Sequence, residues 1–154
     1  MPDRIASVAS FLGDHGLIWF LIGVARARRP GSRRKNALRA LLYSGTVVPL
    51  VNSAMKASVA RVRPERSEST GPYVRIPRTA SFPSGHALAA WCSATLLSKG
   101  DPLAPVYYSV AAVISLSRIH LRLHHFTDVI GGAVGGLALG ILGRKLTSST
   151  KGSE

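Results

Sequence analysis

Three basic side chains stand where apolar segments of the chain end. Lys56 and Arg63 follow one apolar segment, and Arg118 closes another. Charge at the end of an apolar helix is costly and usually marks function, so these residues are candidate ligands of an anion. Arginine presents a planar fork of donors that matches phosphate oxygens, and lysine supplies a compact charge. The three cations therefore predict a site for a phosphate group.

His124 and Asp128 are four residues apart. If a helix runs through them, they share one face, and the carboxylate can bind one imidazole nitrogen. The other nitrogen then faces the anion, where a neutral imidazole is a competent nucleophile and the carboxylate stabilises the charge that develops on attack. In isolation, the default interpretation of such a pair is a structural hydrogen bond.

The run Phe82-Pro83-Ser84-Gly85-His86 directly precedes an apolar segment. Ser84 suits the N-cap of a helix, and Gly85 has no Cβ, so the backbone N–H groups at this helix start can hold an anion. Taken alone, the run is better explained by an ordinary helix cap.

Five apolar segments must position these residues: about 5–25, 37–56, 85–98, 102–117 and 126–143. None is a clean membrane span, since the first carries Asp14 and the third would be only about 21 Å long as a helix. A soluble bundle needs polar faces, however, and the stretch from Ala104 to Leu116 offers none. In the last segment, repeated glycines predict close helix packing. The pattern predicts an all-α integral membrane bundle of about five transmembrane helices, with residues 1–146 as one domain and 147–154 as a disordered tail.

If the five segments span a membrane, the loop after the second and the loop after the fourth emerge on the same side. These two loops hold the candidate residues, so one site can assemble there. The basic block at 26–35 lies on the other side and predicts a cytoplasmic position for that block and an extracytoplasmic site.

Composition supports a membrane protein. The chain has 154 residues, a net charge of +13 and a hydrophobic fraction of 46%. A disordered basic tail lacks such apolar content. The aromatic residues of this chain lie apart from its basic block, which argues against nucleic acid as a partner. The single Cys92 excludes an internal disulfide and any cysteine-based zinc site.

Three segments of the chain resemble the signature motifs of the type-2 phosphatidic acid phosphatase superfamily. They are KASVARVRP from Lys56 to Pro64, PSGH from Pro83 to His86, and SRIHLRLHHFTD from Ser117 to Asp128. Their order and spacing agree with the family pattern. The resemblance implies a small bacterial membrane enzyme that hydrolyses a phosphomonoester or pyrophosphate of a polyprenyl lipid or glycerolipid.

The resemblance also implies a role for each motif residue. His124 would attack phosphorus to form a phosphohistidine, and Asp128 would orient its ring. His86 would protonate the leaving group and then activate the hydrolytic water, which predicts a bell-shaped pH profile. Five residues would bind the phosphate: Lys56, Arg63, Ser84, Gly85 and Arg118.

Several further expectations complete this interpretation. No metal and no cofactor is expected, and the partners are a lipid phosphate substrate and membrane lipids of the cell membrane; the oligomeric state stays open. His125 is expected to be interfacial. Other basic residues are interpreted as headgroup contacts or solvated charges: Arg61, Arg66, Arg75, Arg78 and Arg122. Two alternatives remain, a non-catalytic scaffold that binds anionic lipid and an enzyme like the vanadium haloperoxidases.

Overall fold

The computed structural model describes residues 3–28, 30–65 and 79–146, and every regular element in these ranges is helical. The all-α fold class predicted from the sequence is confirmed. Residues 66–78 and the predicted tail 147–154 lie outside the described ranges. The helices in the described ranges are α1 (Asp3–Gly13), α2 (Leu17–Ala27), α3 (Ser32–Leu42), α4 (Val48–Ser58), α5 (Gly85–Ser98), α6 (Ala104–His120) and α7 (Phe126–Leu146).

Two short turns connect helices that would otherwise be continuous. A 3₁₀ turn, Asp14–Gly16, joins α1 to α2, and Gly16 closes it in the left-handed conformation with φ of 71°. A π-helical turn, Tyr43–Val47, joins α3 to α4. The first predicted apolar segment therefore corresponds to two helices that meet at a bend, the second to two helices joined by a π-helical turn, and each of the last three to one helix.

Helix α5 lies at the centre of the fold. It packs against α7, α6, α3 and α4, and most of its side chains are buried. Its start is defined by Ser84, whose hydroxyl accepts a hydrogen bond from the Ala87 N–H at 3.5 Å. This N-cap satisfies one of the backbone donors that a helix start leaves open.

Glycines on α7 allow its backbone to contact α5 directly. A Cβ on Gly132 would lie 2.5 Å from the Ser84 carbonyl oxygen, and one on Gly136 would lie 2.4 Å from that of Leu88. Such distances are too short for any side chain, so the glycines are needed for this approach. The close packing predicted from the sequence is therefore present between these two helices.

Polar contacts tie the elements together at the other end of α5. Arg26 forms an ion pair with Asp101, and the Asn36 amide donates to the Lys99 carbonyl at 2.8 Å. The guanidinium of Arg144 donates to the Thr95 carbonyl. The first turn of α5, at the opposite end of the helix, carries residues of the predicted site.

Among the described helices, α7 is the one that is long and apolar enough to cross a membrane by itself. Helices α1 and α2 meet the same criterion only as a pair, across a bend of 58°. Helix length and composition thus support one or two crossings where the sequence predicts about five. Large apolar side chains are nonetheless exposed on several helices, among them Phe11, Phe20, Leu50, Leu116, Val134 and Ile141.

Candidate active site

Arg63 joins the loop after α4 to the loop after α6. Its Nη1 donates to the Leu123 carbonyl at 2.6 Å and lies 3.3 Å from Nε2 of His124. Its Nε donates to the Thr79 carbonyl at 3.0 Å. The two loops that the sequence places on one side are thus in direct contact, with the guanidinium beside the candidate nucleophile.

His124 lies in the turn before α7, so no helix runs through both His124 and Asp128; α7 begins at Phe126, where the predicted apolar segment 126–143 begins. The two side chains still meet, with Nδ1 of His124 3.6 Å from Oδ2 of Asp128. That distance is longer than a hydrogen bond. Because a guanidinium only donates, the contact with Arg63 requires an unprotonated Nε2 and places the ring proton on Nδ1.

The surroundings of His124 keep its imidazole neutral. The ring is buried, and burial is the largest cause that lowers its pKa below the usual value. The cations Arg63 and Arg118 lower the pKa further, while Asp128 acts in the opposite direction. A neutral ring with an unprotonated Nε2 is the form that can attack phosphorus.

Asp128 is completely buried at the start of α7 and has three hydrogen-bond donors. Arg61 Nη1 lies 2.9 Å from Oδ1, the His125 N–H donates to Oδ2 at 2.9 Å, and the Ser81 hydroxyl donates to the same oxygen. The sequence interpretation of Arg61 as a headgroup contact or solvated charge is therefore wrong. Burial of an unpaired carboxylate is very costly, and Arg61 provides the counter-charge.

The remaining two cations come from α4 and α6. The Lys56 ammonium donates to the Thr79 hydroxyl at 2.8 Å. The Arg118 side chain is buried, and its guanidinium donates to the Ser10 hydroxyl of α1. Arg118 interacts electrostatically with three other predicted site residues: Lys56, His86 and His124. The structure thus brings the predicted cations and both imidazoles into one electrostatic neighbourhood.

The first turn of α5 is attached to this group from two sides. The Ser84 N–H donates to the Asp128 carbonyl at 2.9 Å, which ties the helix start to α7. On the other side, Gly85 packs against the Asn52 side chain of α4, where a Cβ would lie 3.1 Å from the amide nitrogen. The N-terminal backbone of α5 is therefore held between the start of α7 and helix α4, which carries Lys56 in its last turn.

His86 is paired with a carboxylate that sequence reasoning did not assign to the site. Its Nε2 lies 2.8 Å from Oδ1 of Asp14, in the turn between α1 and α2. In the sequence Asp14 stands out only as an acidic residue inside an apolar segment. That isolation was the available signal, because an ionisable group among apolar residues usually has a partner.

Two further histidines, His120 and His125, lie outside this group or contact it only through the backbone. His120 ends α6, and its Nε2 lies 2.9 Å from Oδ1 of Asp3. His125 Nε2 lies 3.3 Å from the Val62 carbonyl oxygen. Within the described ranges no group of three or more His, Cys, Asp or Glu side chains is arranged to hold a metal ion.

Comparisons with known proteins identify relatives of this chain. Residues 37–150 match the family model of the PAP2 superfamily. Phosphatidylglycerophosphatase B of Bacillus subtilis is 34% identical over 116 residues, which are 68% of this chain and 54% of that protein. Decaprenylphosphoryl-5-phosphoribose phosphatase of Mycobacterium tuberculosis is 29% identical over 143 residues, 92% of this chain and 79% of that protein. The chain thus spans about half the length of the first relative and about four fifths of the second.

A solved structure has the same fold. It is described as the first transmembrane PAP2 type phosphatidylglycerolphosphate phosphatase from Bacillus subtilis, and it matches with a TM-score of 0.75 and 27% sequence identity. The match covers 100% of this chain and 81% of the other.

Proposed function

The chain belongs to the PAP2 superfamily, and on that basis we propose that it is a membrane phosphatase that hydrolyses a phosphomonoester or pyrophosphate of a lipid. The observation that carries this proposal is the state of His124. Its neutral ring presents Nε2 beside Arg63, and its Nδ1 faces Asp128. This is the arrangement that nucleophilic attack on a bound phosphate requires.

The first chemical step follows from these positions. Lys56, Arg63 and Arg118, with the N-terminal backbone of α5, hold the phosphate oxygens and stabilise their charge as the transition state forms. Nε2 of His124 attacks phosphorus, and the bond from phosphorus to the leaving oxygen breaks. His86 gives that oxygen the proton on Nδ1, the ring nitrogen that is not paired with Asp14, so the alcohol or phosphate departs with its oxygen protonated.

The second step releases phosphate. His86, now a neutral imidazole, accepts a proton from water as the water oxygen attacks the phosphohistidine. The bond between nitrogen and phosphorus breaks, and inorganic phosphate leaves. Uncatalysed hydrolysis of a phosphate monoester is extremely slow and needs acceleration of up to ~10²¹-fold. Charge stabilisation by the cations and a covalent intermediate are therefore both expected.

A lipid substrate is supported by an apolar cavity next to the site. The cavity has a volume of about 410 Å³ and lies between α1, α2 and α6. Ile114 lines this cavity. Both the Ile114 side chain and the His86 ring pack against Gly13, so the cavity and the proposed general acid meet at this glycine. A pocket of this size can enclose part of a hydrocarbon chain while the phosphate reaches the cations. Its lining includes Leu12, Ile18, Val106, Val110, Val113 and Ile114.

The membrane arrangement is part of the same proposal. The paired helices α1–α2 and α3–α4, together with α5, α6 and α7, form five crossings of the cell membrane, and the site faces the extracytoplasmic side. Support comes from the apolar side chains exposed on these helices, the transmembrane description of the structural relative and the basic block before and within α3. A reporter fused after Arg34 should report a cytoplasmic position, and a periplasmic signal would reverse this topology.

Phosphate release from a panel of lipid phosphates tests the activity. The panel contains phosphatidylglycerol phosphate, decaprenylphosphoryl phosphoribose, phosphatidic acid and a polyprenyl pyrophosphate, each assayed with EDTA present. His124→Ala should abolish release, whereas the adjacent His125→Ala should retain it because its contact with Asp128 comes from the backbone N–H. If wild-type protein releases no phosphate but binds anionic vesicles as well as His124→Ala does, the chain is a scaffold and not an enzyme.

A further inference from the structure

We propose that Asp14 is the positioning residue of His86, so that the turn between α1 and α2 completes the proton-transfer half of the site. This inference rests on the proposed function, because it concerns the proton that His86 gives to the leaving group. It adds a carboxylate from a part of the chain that precedes residues 37–150, the range matched by the family model.

The contact between the two residues is direct and partly shielded from solvent. Oδ1 of Asp14 lies 2.8 Å from Nε2 of His86, and the side chains are 23% and 16% exposed. A carboxylate accepts a hydrogen bond from a ring N–H and favours the protonated ring. Protonation is the state that His86 must have when the ester bond breaks.

A second, independent feature shows that the turn is shaped to fit the ring. A Cβ on Gly13 would lie 2.8 Å from Cδ2 of His86 and 2.9 Å from Cγ2 of Ile114. The imidazole thus packs against the backbone of Gly13, where no larger residue fits. The carboxylate that follows in the sequence is thereby placed within hydrogen-bond distance of Nε2.

The groups around His86 explain why it needs a carboxylate. The guanidinium of Arg118, from α6, interacts electrostatically with the ring, and the Asp14 carboxylate lies within hydrogen-bond distance of Nε2. A general acid placed close to a phosphate-binding cation would otherwise lose its proton easily. Asp14 counters that effect at Nε2.

The chain offers a matched control. Asp3 lies on the same helix pair and binds His120 through the same atoms, Oδ1 to Nε2, at 2.9 Å. That pair is more exposed and lies outside the group of site residues. Asp3→Asn therefore removes an equivalent contact without touching the proton-transfer residue.

The experiment compares kcat/KM against pH for wild type, Asp14→Asn, Asp14→Glu and Asp3→Asn. We expect Asp14→Asn to move the alkaline limb to lower pH by about one unit, since a paired carboxylate shifts a neighbour's titration by that order. The kcat for a lipid phosphate with an alkyl leaving group should fall about 10- to 100-fold, within the ~10²–10⁴ that general acid catalysis contributes, while KM stays close to wild type. Asp14→Glu keeps the charge and should restore most of the rate, and Asp3→Asn should retain the wild-type profile.

The leaving group separates proton transfer from a purely structural effect. Nitrophenolate departs without a proton, so kcat/KM of Asp14→Asn for p-nitrophenyl phosphate should stay within about threefold of wild type. An equal loss with both substrates, or an unchanged alkaline limb, would overturn the proposal. If Asp14→Asn does not accumulate, Asp14→Ser is measured in the same way. A wild-type protein without activity refutes the proposed function, whereas an active wild type with an indifferent Asp14→Asn refutes only this inference.

Discussion

Replacing Gly132 with alanine tests whether the contact between α7 and α5 sets the geometry of the site. The added Cβ would lie 2.5 Å from the Ser84 carbonyl oxygen and 3.0 Å from the Ala87 Cβ. Ordinary contact begins at 3.4 Å, so the backbone at the start of α5 must move by about 0.9 Å, the difference between 3.4 and 2.5 Å. That backbone is the one proposed to bind the phosphate.

Two opposing effects determine the stability of Gly132→Ala. Overpacking in a close-packed interior costs about 1–3 kcal/mol. Alanine in place of glycine inside a helix contributes about 1 kcal/mol of stabilisation. We therefore expect a net destabilisation of about 0–2 kcal/mol, which leaves the protein folded.

Activity should suffer much more than stability. A displacement of about 1 Å at a reacting group can cost ~10²-fold in rate. We expect kcat/KM of purified Gly132→Ala for a lipid phosphate to fall by about that factor, with only a small change in thermal midpoint. The two quantities are measured on the same preparation, by phosphate release and by a thermal unfolding curve.

Two other glycines provide controls of graded severity. A Cβ on Gly135 would lie 2.9 Å from Cδ1 of Leu88, the end of a flexible side chain, and one on Gly45 would meet nothing within 4 Å. Gly135→Ala should lose little activity, and Gly45→Ala should keep all of it. The reasoning fails if Gly132→Ala retains wild-type kcat/KM or declines no further than Gly135→Ala.

Two further predictions concern the arginines next to the catalytic pair. Arg63→Gln removes a cation that lowers the pKa of His124, so this pKa rises and the acid limb of kcat/KM against pH moves to higher pH; an unmoved limb would show that Arg63 does not act on the ring. Arg61→Gln removes the ion pair with Asp128, and the loss of roughly 1.5 kcal/mol from one charge-assisted hydrogen bond lowers kcat about tenfold. The exposed Arg122→Gln is the control, and an equal effect of both substitutions would contradict a specific role for Arg61.

The features that sequence analysis predicts well are local ones. The apolar segment 85–98 coincides with α5, Gly85–Ser98, because a serine N-cap and an uninterrupted apolar run determine where a helix begins and how far it extends. The motif residues also lie together as expected, since each motif sits at the end of a helix. The local conformation of His124 could not be predicted from helix patterns, because residues 121–125 form a turn before α7.

The partners of the motif residues could not be predicted for a physical reason. Arg61 is 67 residues from Asp128, and Asp14 is 72 residues from His86. No periodicity or capping rule relates positions that far apart, because such pairs form only when helices pack. Sequence alone shows that a buried carboxylate needs a counter-charge, but several arginines of the loop after α4 are equally suitable.

The two imidazoles of the proposed mechanism differ in how closely a carboxylate approaches them. Asp128 is hydrogen-bonded by Arg61, Ser81 and the His125 backbone N–H, so its effect on His124 is weakened, and burial together with the nearby cations keeps that ring neutral. Asp14 instead contacts His86 itself, at 2.8 Å. The proposed general acid therefore has a carboxylate of its own, separate from the one beside the nucleophile, and the turn after α1 supplies it.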